Sequence, residues 1–262
     1  MKKYVNIIVI TLALVVGYCI YFLILGNPAN FLDPALKHEP KPGNLLGTIY
    51  TGGPLVGLLL SLIIISIAFV FERYFSINKA QGKSSPDAFI QLVIQSLEKG
   101  DLKGALEICD NQRGSIANIL RAGVNRFIEI ENDPEFPGEK KLTEVQRAID
   151  ESMNLETPLL EKNLVVLSTV ASISTMVGLL GTTLGMIRAF QALAISGTVS
   201  AIQLSIGISE ALYNTAGGLA AAIISIVAYN FFTTKVDNFV YAIDEAVLDM
   251  MAIFTLRTKQ VK

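Results

Sequence analysis

Between Lys162 and Lys235 the sequence carries only two charged side chains, Arg188 and Glu210, within two long apolar segments joined by a short turn. In hydrocarbon every backbone N–H and C=O must be satisfied within the segment, and a helix does this. Each arm exceeds the roughly 20 residues that a crossing helix needs, so the stretch predicts a transmembrane helical hairpin. An ionised carboxylate at bilayer depth costs roughly 2.5–3.5 kcal/mol on insertion scales and is kept mainly where it faces water, a partner or a proton path. Glu210 is therefore the first candidate functional residue.

The rest of the chain fits the same frame. Charged residues make up 17% of the 262 residues, which excludes disorder and points to an all-α membrane protein. Of the 44 acidic and basic side chains, 28 fall between Glu72 and Lys162, 16 acidic and 12 basic, which marks a water-facing module between apolar spans. A net charge of −2 with no concentrated basic face gives no nucleic-acid footprint. Cys19 lies in an apolar span and Cys109 in the polar module, so no disulfide framework is expected. His38 is the one histidine, which leaves too few ligands for a zinc or haem site and argues against a Ser/His/Asp triad; no metal and no cofactor are expected.

In chain order, residues 1–26 predict an N-terminal anchor. Tyr4 to Leu25 is an uncharged run of 22 residues behind Lys2 and Lys3. At 1.5 Å per residue it reaches about 33 Å. It is longer than a signal-peptide core, and Gly26-Asn27-Pro28 supplies no small-x-small cleavage site, so a retained anchor is expected. Residues 27–52, rich in Pro and Gly, predict an external loop, with an amphipathic turn near Phe31 to Leu36. Residues 53–72 predict a second span, opened by Pro54 and closed at Glu72-Arg73, with Lys79 and Lys83 beyond it.

Residues 73–161 read as a cytoplasmic helical module. Ser85-Pro86-Asp87 predicts a helix start, Gly100 a stop, and two further helices follow over about 102–110 and 115–130. Thr143 and Gln146 suggest a capping box for a helix that continues toward the membrane and turns apolar from Leu164. After the 162–235 hairpin, residues 236–262 predict a C-terminal helix whose apolar face (Val236, Phe239, Val240, Ile243, Val247, Met250, Met251, Phe254) packs on the polar module. Four spans with both termini inside follow from the positive-inside rule.

On the third span Ser168, Ser172, Thr175 and Thr182 follow intervals of 4, 3 and 7 and share a stripe, accompanied by Gly178, Gly181 and Gly185. Such residues can simply let membrane helices approach closely. On the fourth span Gln203, Gly207, Glu210, Asn214 and Gly217 share a second stripe, with Thr215 beside it. A carboxylate, an amide and a hydroxyl at membrane depth exceed what packing requires. For Glu210 two readings stay open: neutralisation by Arg188 or by a shared proton, and participation in proton passage.

The runs LLEKNLVVLSTVASISTMVGLLGTTLGMIRAF (159–190) and IGISEALYNTAGGLAAAIISIVAYNFF (206–232) resemble the MotA/TolQ/ExbB proton-channel family, most closely its ExbB and TolQ branch. LLLSLIIISIAFVFER (58–73) and GDLKGALEICDNQRGSIANILRAGV (100–124) agree, as does the order of spans and module, so the likeness covers about residues 50 to 255. The resemblance implies a homo-oligomeric ring, a pentamer, in a bacterial inner membrane. Its third and fourth spans would line a pore that encloses a single-span ExbD/TolR-like partner, whose aspartate carries the proton. It implies Thr182, Glu210 and Thr215 as proton-pathway residues, while the stripes add Ser172, Thr175 and Asn214 as further pore or partner contacts. It also implies work on a TonB-like protein for outer-membrane transport. The alternatives are a TolQ-like envelope or gliding-type motor, or a non-conducting scaffold. Enzyme readings fall away for lack of a nucleophile–base pair or a metal set. The chain departs from the family twice: Ser174-Thr175 stands where Ala-Pro is usual, and the span at 4–25 is additional.

Overall fold

A computed structural model describes residues 2–33, 39–133, 135–196 and 201–260. His38 and Lys262 lie outside them, as does the second half of the turn expected at Phe31 to Leu36. Among the described residues the fold is all-α, and four helices are long and apolar enough to cross a membrane. They are α1 (Lys2–Cys19, continued by a π-helical stretch Ile20–Leu25), α3 (Leu55–Gln81), α8 (Leu164–Ser196) and α9 (Ala201–Gln260). The remaining helices are α2 (Leu45–Tyr50), α4 (Pro86–Glu98), α5 (Leu102–Gln112), α6 (Ser115–Ile130) and α7 (Gly138–Glu161). The chain divides into two units: Met1–Phe71 with Asn163–Asn230, and Glu72–Lys162 with Phe231–Lys262.

In the first unit, small residues set the helix contacts. A Cβ added at Gly17 would fall 2.8 Å from the backbone N of Ser61, which brings α1 against α3. Ser61 Oγ donates to Gly57 O within its own helix. The Ser66 and Ser225 hydroxyls share a buried hydrogen bond of 2.6 Å between α3 and α9. At the end of α1, Asn30 Nδ2 donates to the Ile24 and Leu25 carbonyls at 2.9 and 3.0 Å, which satisfies acceptors that the helix terminus leaves open. The Tyr21 ring stacks on Tyr50 with centroids 4.6 Å apart, so the loop is fastened to the first helix. Large apolar side chains such as Ile7, Leu12, Phe22, Ile223 and Val227 are exposed in this unit, the arrangement lipid tolerates and water does not.

The second unit has a buried core. Phe89, Val93, Ala105, Cys109, Ile116, Leu120, Val124, Phe127, Val145 and Ile149 are buried, as are Phe239, Ile243, Met250 and Phe254 of α9. The Phe127 and Phe254 rings stack with centroids 4.1 Å apart and planes 3° from parallel. The C-terminal segment thus packs on the polar module as its apolar stripe predicts. Burial pushes the Cys109 thiol up to about 12, with the nearby Asp110 carboxylate acting in the same direction. Arg73 is buried; its Nη1 donates to Leu160 O at 3.1 Å and its Nε and Nη2 reach Glu72. Gln112 ties the α3–α4 turn, donating to the Gln81 and Ser84 carbonyls and accepting from the Ser84 hydroxyl and backbone N–H.

The helix start expected at Ser85-Pro86-Asp87 is found: Ser85 is the N-cap of α4, with Pro86 in its first positions and Asp87 in its first turn, although the Ser85 side chain makes no cap bond. Three expectations are corrected. Thr143 and Gln146 form no capping box, because α7 already starts at Gly138: Thr143 Oγ1 donates back to Glu139 O, and Gln146 donates to Asp150. The polar and apolar halves around residue 162 are not one helix. Lys162 turns extended and Asn163 takes a φ of +67°, so α7 ends at Glu161 and α8 starts afresh at Leu164. Finally, no break separates the fourth span from the C-terminal helix, since α9 runs unbroken from Ala201 to Gln260.

Candidate functional site

The site lies where α8 and α9 run antiparallel, and glycines bring the two backbones together. A Cβ at Gly218 would fall 2.6 Å from Ser174 O and 2.8 Å from Gly178 Cα, and one at Gly185 would fall 2.8 Å from Gly207 O. Gly181 leaves room for the Asn214 side chain, which any larger residue would strike. The glycine spacing noted in the sequence is therefore used for helix contact, as small-residue stripes in membrane helices commonly are. α8 is helical throughout, and within it Ser174 is fully buried and donates to Val170 O at 2.6 Å.

Two polar pairs bridge this close contact. Toward the 197–200 connection, Arg188 Nη1 forms an ion pair with Glu210 Oε1. The Glu210 side chain is 11% exposed and that of Arg188 55%, so the acid is covered while its cation reaches outward. One turn further along α9, the Thr182 and Thr215 hydroxyls are hydrogen bonded to each other. Each also lies 3.2 Å from the carbonyl four residues earlier in its own helix, Gly178 O and Ala211 O. A carboxylate, a guanidinium and two hydroxyls on one helix–helix seam can hold a proton or a cationic group and hand hydrogen bonds between neighbours.

The remaining candidates separate. Thr175 is half-buried and Ser172 exposed, and each donates to its own helix, at Ala171 O and Ser168 O. Neither joins the Glu210 group. Asn214 is fully buried, and its Nδ2 donates to Gly52 O at 2.7 Å and Glu210 O at 3.0 Å. Asn214 Oδ1 has no hydrogen-bond partner among the described residues. The Gln203 side chain lies outside the described residues.

Sequence reasoning missed the cover of the site, the turn Gly52–Gly53. Gly53 has a φ of +81°, and a Cβ there would fall 2.6 Å from Glu210 Oε1 and 3.7 Å from Arg188 Nη1. The Gly-Gly-Pro turn signal was visible, but nothing local points to a carboxylate more than 150 residues later. Ser66 and Ser225 were missed for a similar reason, since a serine in an apolar run looks the same whether it faces lipid or a partner hydroxyl.

The match with known proteins falls on these elements. The sequence profile of the MotA/TolQ/ExbB proton channel family matches residues 111–245, from the end of α5 through Glu210 and well into α9. The chain belongs to this family. The Tol-Pal system protein TolQ of Haemophilus influenzae is 32% identical over 186 residues, which cover 69% of this chain and 78% of that one. TolQ of Pseudomonas aeruginosa is 30% identical over 181 residues, covering 68% and 78%. An ExbB homolog of Methanothermobacter thermautotrophicus, named as a biopolymer transport protein, is 28% identical over 208 residues, covering 79% and 68%. Membership in the MotA/TolQ/ExbB family makes the chain a multi-pass inner-membrane protein of a proton-channel family rather than of an enzyme family.

Proposed function

We propose that the chain is the ring-forming subunit of a motor driven by the proton-motive force, an ExbB-like protein. In this reading several copies, five in the full ring, surround the membrane helix of a single-span ExbD/TolR-like partner. Glu210, with Thr182 and Thr215, serves the proton path beside the partner's own carboxylate. Work is delivered to a TonB-like protein for transport across the outer membrane. Both chain termini and the 73–161 module face the cytoplasm, in line with the basic residues at Lys2, Lys3, Lys79 and Lys83.

The observation that carries the reading is the seam itself: a covered carboxylate, its guanidinium and a hydroxyl pair lie together at membrane depth, where polar groups are costly unless used. A proton falling through 100 mV releases roughly 2.3 kcal/mol from the electrical term. That is too little to rebuild a fold but enough to bias a two-state rotation of a partner within a ring. The similarity to two TolQ proteins over 78% of their length supports a second reading, in which the same ring serves envelope integrity instead of TonB-linked uptake.

Proton flux into vesicles containing the chain and its co-expressed partner tests the proposal. Glu210→Ala and Thr215→Ala are expected to lower flux and mechanical output together. Wild-type values for both variants would remove these residues from the path and favour a non-conducting scaffold.

A further inference from the structure

The Glu210 carboxylate is covered by the backbone of the Gly52–Gly53 turn. Little room is left for that turn to sit differently. A Cβ at Gly52 would fall 2.6 Å from Val56 Cγ2 and 3.2 Å from Tyr213 Cβ, while one at Gly53 would strike Glu210 Oε1. Within the turn Gly53 N donates to Tyr50 O at 3.0 Å, and α3 begins just beyond it. From α9, Asn214, one helical turn from Glu210, donates a hydrogen bond to the turn at Gly52 O. Its two amide hydrogens are both committed, one to Gly52 O and one to Glu210 O, so the orientation of the amide is fixed: reversing it would set an oxygen against two carbonyls. Tyr50 ties the other end of the turn to the additional first helix, through its stack on Tyr21 and the hydrogen bond that Tyr21 OH donates to Tyr50 O.

We propose that Asn214 is a positioning residue: by holding the Gly52 carbonyl it seats the Gly52–Gly53 turn over Glu210 and keeps that carboxylate against Arg188. The role rests on the reading of Glu210 as a proton-path residue, and it gives the first helix a task, since Tyr21 holds Tyr50 at the start of the same turn. An apolar residue at 214 fills the same space and lets go of the carbonyl. The turn then has no polar tie to α9, and Glu210 loses its cover.

The test uses the full chain with its partner in lipid nanodiscs and vesicles, with Asn214→Leu as the variant. Hydrogen exchange reads the turn, and the Glu210 carboxylate infrared band, assigned by its loss in Glu210→Gln, reads the acid. Expected are faster exchange in the segment 50–54 with α5 and α6 unchanged, a displaced carboxylate band, and a loss of about 10- to 100-fold in proton flux, the scale on which a misplaced reacting group slows a transfer. Unchanged exchange at 50–54 or an unmoved band overturns the positioning role, and so does wild-type flux with a loosened turn. Wild-type flux in Glu210→Gln defeats the proton-path reading alone, and exchange and the infrared band then still decide whether Asn214 seats the turn. If Asn214→Leu does not accumulate, Asn214→Asp, which keeps the shape and as a carboxylate cannot donate, is measured against the same outcomes.

Discussion

In the unit that carries α8, helices α8 and α9 meet with glycine against backbone, at Gly178 with Gly218 and Gly185 with Gly207, whereas the unit that carries α6 is held by rings and branched chains, Phe127 on Phe254 above all. The ion pairs differ in the same way. Arg126–Glu144 and Arg147–Glu151 are partly or largely exposed in the second unit, while Glu210 is covered and Arg188 is its cation. The solvent explains the contrast. Water drives apolar side chains together, so a core of large side chains is stabilising and surface charges are inexpensive. Lipid supplies no such drive between helices, so close approach, dispersion and a few polar ties must suffice. A polar group retained in the second setting is correspondingly more informative than one in the first.

The largest effect is expected at the covered acid. Glu210→Gln should lower partner-dependent proton flux by about 100-fold or more, the usual scale for losing a proton-transfer group, while leaving the second unit folded. Flux within threefold of wild type would place Glu210 among packing residues. Phe127→Ala should destabilise the second unit by about 3–5 kcal/mol, read by denaturant unfolding of that unit's helices, with little change in flux per folded complex. Gly181→Val should act in reverse, destabilising the α8–α9 seam by about 1–3 kcal/mol or more because Asn214 has nowhere to move, with the second unit's unfolding unaltered. If both substitutions damaged both units equally, the division drawn here would fail.

Smaller effects sharpen the same line. Arg257→Ala removes the partly buried bond to Glu131 and should cost about 0.5–1 kcal/mol in the second unit, falling further as salt rises. Cys109, pushed up to about 12 from a usual thiol value of 9.0 by burial, should resist alkylation at pH 8 until the unit unfolds. Its linked stability is complete below about pH 9, where both states hold the proton, and is lost as pH rises from 9 toward 12, where only the unfolded thiol ionises. Rapid labelling of the folded protein at pH 8 would contradict this burial.

Much of this architecture was legible beforehand because it rests on local patterns. The apolar length of the spans, the helices expected over about 102–110 and 115–130 (found at Leu102–Gln112 and Ser115–Ile130) and the stop at Gly100 follow from periodicity and turn chemistry. The apolar stripe on the C-terminal helix likewise foretold its burial against the polar module. Local signals also misled: Thr143 and Gln146 have the spacing of a capping box but lie inside α7, whose start at Gly138 follows the Pro137 turn. The break at Asn163 carried no strong local signal, since asparagine adopts a positive φ at modest cost and the sequence around it is otherwise helical.

The sequence by itself determined that the chain has four apolar helices and, between the second and third of them, a charge-rich helical module, and that a lone acid, a lone arginine and a set of hydroxyls and glycines lie on the third and fourth spans. Those properties depend on composition and on a period of 3.6 residues, which each segment carries alone. Only the tertiary structure decided which of these groups meet: that Arg188 takes Glu210, that Thr182 takes Thr215, that Ser172 and Thr175 stay apart, and that Asn214 reaches back to the Gly52 carbonyl. Partner choice across 22 to more than 150 residues depends on which helix faces approach closely enough for a polar bond to form. That is a property of the packed assembly of helices and of no single one of them.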